Sequence, residues 1–139
     1  MNTGGIVVGF VNSLEGQAAL QAAADEAERR QARIILVHSS KGGQKQDPDV
    51  VIAEREALER ATQELRERGC TVEVRDLVRG SDPGDDLIAV ATEEQADLIV
   101  IGLRRRSAVG KLLLGSSAQA ILLGADCPVL AVKARPVTK

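Results

Sequence analysis

The 139-residue chain has no tryptophan, no tyrosine and one phenylalanine, Phe10, so it offers no aromatic platform for stacking the bases of a single strand. It also lacks an excess of either charge. Its 18 Lys and Arg against 20 Asp and Glu leave a formal charge of −2, which excludes the broad cationic field of a nucleic-acid or anionic-membrane binder. Any anion site must therefore be local. The only two cysteines, Cys70 and Cys127, form no CxxC pair and read as buried, reduced thiols of a cytoplasmic protein. A lone histidine, His38, is too little for a zinc cluster, and no motif gives it a nucleophile or an orienting carboxylate. No apolar run reaches the roughly 18 residues of a membrane-spanning helix, and no basic-then-apolar leader opens the chain, so a soluble, intracellular protein without a membrane is expected.

What is present is short and aliphatic. Four runs rich in Val, Ile and Leu, at 6–11, 33–39, 97–102 and 127–133, fit strands covered on both faces, while the alternating stretch 70–78 fits a strand nearer solvent. Helical segments lie between them: 13–32 with an Ala-rich face, 47–69, 81–95, and one from Ser116 to about Leu123. Two of these start with the same device, Asp47-Pro48 and Asp82-Pro83, a capping carboxylate followed by proline at the first helical position. In 47–69, Val51, Leu58, Ala61 and Leu65 share one stripe, and Gly69 marks the stop. Asp85 and Asp86, in the next helix's first turn, suit its dipole better than acid–base work. The order β-α-β-α-β-α-β-α-β predicts a single domain over 1–139, a three-layer α/β/α fold with a five-stranded parallel sheet of order 3-2-1-4-5. The polar loop 39–48 is a surface loop or a lid.

In such a sheet the ligand crevice opens beyond the carboxyl ends of strands one and four, where the winding reverses. That sets residues 9–16 opposite 102–110, where the stretch GLRRRSAVGKLLLGSSAQ begins. Gly102 ends a strand and admits close approach, Gly115, Ser116 and Ser117 open a helix whose free N–H groups attract anions, and Arg104 and Arg105 bring charge. The same Gly-Ser-Ser is equally an ordinary capping sequence, and three adjacent arginines, 104–106, cannot all face one ligand. The Gly110-Lys111 pair is not a Walker loop: the first glycine would fall on Arg105, and Leu112 stands where Ser or Thr is required. Residues 9–16 lack the spacing of a dinucleotide fingerprint.

The run ADLIVIG (96–102), then LLLGSSAQAIL and ADCPVLAVK, together with IVVGFVNSLEGQAAL at the start, resembles the universal stress protein family over essentially the whole chain. The resemblance implies an adenine-nucleotide-alpha-hydrolase-like fold and a homodimer paired through the last strand, residues 128–133. It implies a cytoplasmic stress-response protein that binds ATP, or AMP or ADP, and acts on an unknown protein partner by occupancy. It does not settle whether Mg²⁺ accompanies the nucleotide. Catalysis would amount at most to slow ATP hydrolysis. Nucleotide-binding members carry G-x2-G-x9-G-[ST]; Gly102, Gly115 and Ser116 match it, whereas Arg105 replaces the second glycine, and Val11 stands where the family usually has a ribose-binding Asp. Carried over by position, adenine would lie near Gly9 to Val11, His38, Ser39, Ile101 and Gly102, with Asn12 a substitute ribose ligand and the phosphates at Arg104, Arg105 and Gly115 to Ser117. The alternative is a nucleotide-independent interaction module of the same fold, its pocket closed by Val11 and Arg105.

Overall fold

The computed structural model describes residues 4–41, 47–79, 82–104 and 114–134. Five parallel strands, β1 (Ile6–Gly9), β2 (Ile34–Lys41), β3 (Val72–Arg79), β4 (Leu98–Leu103) and β5 (Val129–Lys133), form one sheet in the order β3-β2-β1-β4-β5, as the sequence predicts. Between them run α1 (Leu14–Arg30), α2 (Pro48–Glu67), α3 (Pro83–Glu94) and α4 (Ser116–Gly124). The alternation of side chains along each strand divides the core in two. Ile6, Val8, Ile34, Leu36 and Val100 pack under α1 and α2, while Val7, Ile35, Val37, Ile99 and Ile101 pack under α3 and α4. Against the first face α1 sets Ala19, Ala23, Ala24 and Ala27, all buried, so the helix lies close to the sheet.

The helix starts follow the capping logic of the sequence. Ser13 Oγ accepts from Gly16 N at 3.1 Å, Asp47 accepts from Asp49 N at 2.9 Å, and Asp82 accepts from Gly84 N at 2.8 Å. Past the end of α2, Gly69 adopts φ +93°, a conformation an L side chain rarely takes. One expectation fails in α2. Its buried stripe is Ala57, Leu58, Ala61, Thr62 and Leu65, whereas Val51 is 39% exposed, flanked by exposed Val50 and Ile52. The first turns of α2 meet polar groups of β2 and β3, with Glu54 near His38 and Arg55 bound to Asp76. Cys70 and Cys127 are half-buried rather than fully buried; desolvation pushes both thiols up, so the reactive thiolate is scarce.

Below the site, at the other end of the sheet, Arg33 binds Glu73 at 2.8 Å, Glu94 at 2.9 Å and the Gly4 carbonyl at 3.2 Å, and Arg75 binds Glu94 and Glu93, each at 2.9 Å. Arg33 first, against a smaller desolvation effect, holds the Glu94 carboxyl below its ordinary value. A carboxylate with a lowered folded pKa stabilises above its unfolded pKa and loses that contribution as pH falls through the folded value. Glu94→Gln is therefore expected to lower the urea midpoint at neutral pH, and the gap from the parent protein should close as pH falls below the ordinary carboxylate range. A pH-independent gap would assign the loss to packing.

Candidate functional site

A cavity of about 390 Å³ opens at the carboxyl ends of β1 and β4, the switch point of the sheet and a volume within the range of small-molecule sites. Its apolar walls come from Val11, Leu87, Val100, Ile101, Leu103 and Ile121; Gly9 and the first turns of α1, α3 and α4 complete it. Two glycines press α1 into this position. A Cβ on Gly16 would lie 1.8 Å from the Val11 carbonyl oxygen, and one on Gly102 would lie 2.2 Å from the Glu15 carbonyl oxygen. Gly102 is thus required by the packing of α1 on β4. That is a structural reason the sequence reading, which gave this glycine to ligand approach, did not supply. A third close approach joins α3 to α4, where a Cβ on Gly84 would meet the Ser117 carbonyl oxygen at 2.8 Å.

The polar end of the cavity is the start of α4. Gly115 is the N-cap residue, at φ −72° and ψ 172°, and, having no side chain, makes no side-chain capping bond. A Cβ added there meets nothing within 4 Å among the described residues. The Ser117 hydroxyl is turned away to Asp82, at 3.1 and 3.2 Å from its two carboxylate oxygens, and so braces the cap of α3. Ser116 is exposed. The first N–H groups of α4 have no intrahelical acceptor, and with the positive end of the helix dipole they suit an anion.

Glu15 and Arg104 face each other across the rim, Arg104 Nε donating to Glu15 Oε2 at 3.1 Å from 89 residues away in sequence. The Glu15 side chain is largely covered and that of Arg104 largely exposed. Partial burial pushes the Glu15 carboxyl up, but its own backbone N–H, Arg104 and Ser13 outweigh that and hold it below its ordinary value. The carboxylate therefore stays ionised, and Arg104 reaches the site already paired.

Of the residues expected at the site, Gly9, Val11, Ile101, Gly102, Arg104, Gly115, Ser116 and Ser117 all line this cavity. Asn12, His38 and Ser39 do not. Asn12 lines a smaller cleft between α1 and α2, and Arg105, with the rest of 105–113, lies outside the described residues, as do 42–46 of the polar loop. His38 is sent by strand alternation to the α1/α2 side, where Nδ1 sits 3.0 Å from Asp76 Oδ1 and the ring meets Phe10 edge-on at 5.9 Å. Ser39 points to the α3 side and hydrogen-bonds Asp86. Asp85 and Asp86 both lie in the first turn of α3, as the sequence predicts, and Asp86 is buried, only 2% exposed, while Asp85 is exposed. Among the described residues no group of three or more His, Cys, Asp or Glu is placed to hold a metal ion, and no helix is long and apolar enough to cross a membrane.

Residues 4–133 match the model of the universal stress protein family, and a universal stress protein of Mycolicibacterium smegmatis is 37% identical over 128 residues, 92% of this chain and 96% of that protein. The chain belongs to the universal stress protein family. Among solved structures it is similar to the universal stress protein of Archaeoglobus fulgidus in complex with dAMP, with 34% identity, a TM-score of 0.78, and coverage of 96% of this chain and 100% of that one. It is also similar to a universal stress protein in complex with cAMP, with 26% identity, a TM-score of 0.74, and coverage of 97% and 100%.

The universal stress protein motif positions Gly102, Gly115 and Ser116 all reach the cavity, as does Val11 in place of the usual Asp. Sequence reasoning missed Glu15, Gly16, Pro83, Gly84 and Leu87. Glu15 lies in the first turn of α1, and only its pairing with Arg104, from a distant element, marks it as part of a rim. The Asp82-Pro83-Gly84 cap was visible as a helix start, but nothing local says that this start lies against α4.

Proposed function

We propose that this protein binds ATP or a related adenine nucleotide in the cavity between β1 and β4 and acts by occupancy rather than catalysis. The observation that carries the reading is the uncapped start of α4 facing a cavity of about 390 Å³ at the switch point of the sheet. The dAMP and cAMP complexes of its relatives support an adenine nucleotide. In this arrangement the N–H groups at Ser116 and Ser117 hold a phosphate, Arg104 stands at the rim paired with Glu15, and Gly9, Val11 and Ile101 enclose the nucleoside. The only histidine is committed to Asp76 on the other side of the sheet, and Glu15 to Arg104, which favours binding over acid–base chemistry. The family supplies the rest of the proposal: a cytoplasmic stress-response role, an unknown protein partner, and a homodimer through residues 128–133. The apolar β5 at the sheet's edge fits such pairing.

Calorimetric titration with AMP, dAMP and ATP, with and without Mg²⁺, tests the reading. Saturable heat at micromolar to millimolar nucleotide is expected. Because the Val11 side chain offers no acceptor to a ribose hydroxyl and its carbonyl already accepts from Ser13 N, AMP and dAMP should bind within about twofold of each other. Val11→Asp is expected to favour AMP by about tenfold, the worth of one hydrogen bond to a charged group. No heat and no thermal shift with any nucleotide at millimolar concentration would reject the reading and leave the nucleotide-independent interaction module.

A further inference from the structure

The rim of the cavity holds a charge that a phosphate site has no use for. Glu15 is the only carboxylate among the described residues lining the cavity, and Arg104 the only cation. Their pairing at 3.1 Å offsets at the rim the one cationic side chain among the described lining residues that would draw a polyphosphate. Glu15 cannot easily withdraw. Gly102 fixes the backbone beneath it, a Cβ there lying 2.2 Å from the Glu15 carbonyl oxygen, and Arg104, Ser13 and its own N–H hold the carboxylate itself. Among the described residues, the attraction left at the site comes from the α4 N-terminus, equivalent to roughly half a unit charge and felt within about one helical turn. Glu15 lines the same cavity as Gly115 to Ser117, so each further phosphate held there adds negative charge in the presence of that carboxylate.

We propose that Glu15 makes this site discriminate by phosphate count, favouring an adenosine monophosphate over the di- and triphosphate. The inference rests on the nucleotide-binding reading above. It deepens that reading by assigning the selectivity to a residue outside the family's glycine motif. The interaction is Coulombic, so it scales with ligand charge, weakens with salt, and weakens when Mg²⁺ neutralises the outer phosphates.

The test is the set of dissociation constants of AMP, ADP and ATP for the parent protein, Glu15→Gln and Glu15→Asp, in chelator at low salt, then in high salt. AMP should bind the parent protein more tightly than ADP, and ADP more tightly than ATP. In Glu15→Gln the affinity for ATP should rise about tenfold while that for AMP changes less than about threefold, and the difference should collapse in about 1 M salt. Glu15→Asp keeps the charge and should keep the parental order; Glu26→Gln, which removes an acid on the α1 surface paired with Arg29 and Arg30, should change nothing. Equal weakening of all three nucleotides in Glu15→Gln would overturn the proposal and make Glu15 a mere support for Arg104. An unchanged ATP-to-AMP ratio would overturn it too. Absence of binding by any nucleotide to any variant would instead remove the site itself, an outcome distinct from both.

Discussion

Gly115→Asp is expected to make the protein more stable and unable to bind nucleotide. Gly115 is the N-cap of α4, its backbone is already in the extended conformation an N-cap adopts, and a side chain there has open space among the described residues. An Asp carboxylate would accept from the free N–H groups of the first turn and complete the helix dipole, contributing about 0.5–1 kcal/mol, or about 2–4 °C in melting temperature. The same carboxylate would sit where a phosphate is to sit and repel it. Several charge-assisted hydrogen bonds would be lost at about 1.5–3 kcal/mol each, so affinity should fall at least about a hundredfold. Thermal melting and calorimetry on one preparation read both. The opposite signs matter, because a substitution that merely damaged the fold would lower both quantities together.

Gly102→Ala is expected to do just that. The added methyl would stand 2.2 Å from the Glu15 carbonyl oxygen, and relief requires a shift of backbone rather than rotation of a side chain. Overpacking of this kind costs about 3 kcal/mol or more, an expected fall of about 10 °C in melting temperature. Because α1 would be displaced from β4, the Glu15–Arg104 pair and the cavity wall should be disturbed with it. Gly115→Ala is the control: nothing among the described residues opposes its Cβ, and it should cost less than about 1 kcal/mol, well short of Gly102→Ala. Equal stability of the two alanine variants would contradict the packing argument for Gly102.

These two glycines show what the chain reveals before folding. Both were legible as special, since they punctuate the end of a strand and the start of a helix at a motif spacing. Their reasons differ, and only the fold separates them: Gly102 is demanded by a helix that arrives from 87 positions earlier in the chain, Gly115 by openness. The strand order was legible because short aliphatic runs alternating with capped helices leave few arrangements for a parallel sheet. For His38 the position along β2 gives the end of the sheet, while the face depends on the strand's alternation, which turns it toward α1 and α2 and pairs it with Asp76 across the register. Val51 was misassigned because helical periodicity marks a stripe without saying how far along it the sheet's aliphatic surface extends. Glu15 escaped notice because an ion pair between the start of α1 and the end of β4 has no local signature.

The measurement that bears most directly on the site is a titration of the ¹⁵N-labelled protein with AMP, followed through its backbone amide resonances. Saturable shifts should concentrate at Gly9 to Val11, Ile101 to Leu103, and above all Gly115 to Ala118, and they should vanish in Gly115→Asp. Shifts confined to the α1/α2 cleft around Gln17, Leu20 and Ala61, or no shifts at millimolar AMP, would contradict a nucleotide site at the start of α4.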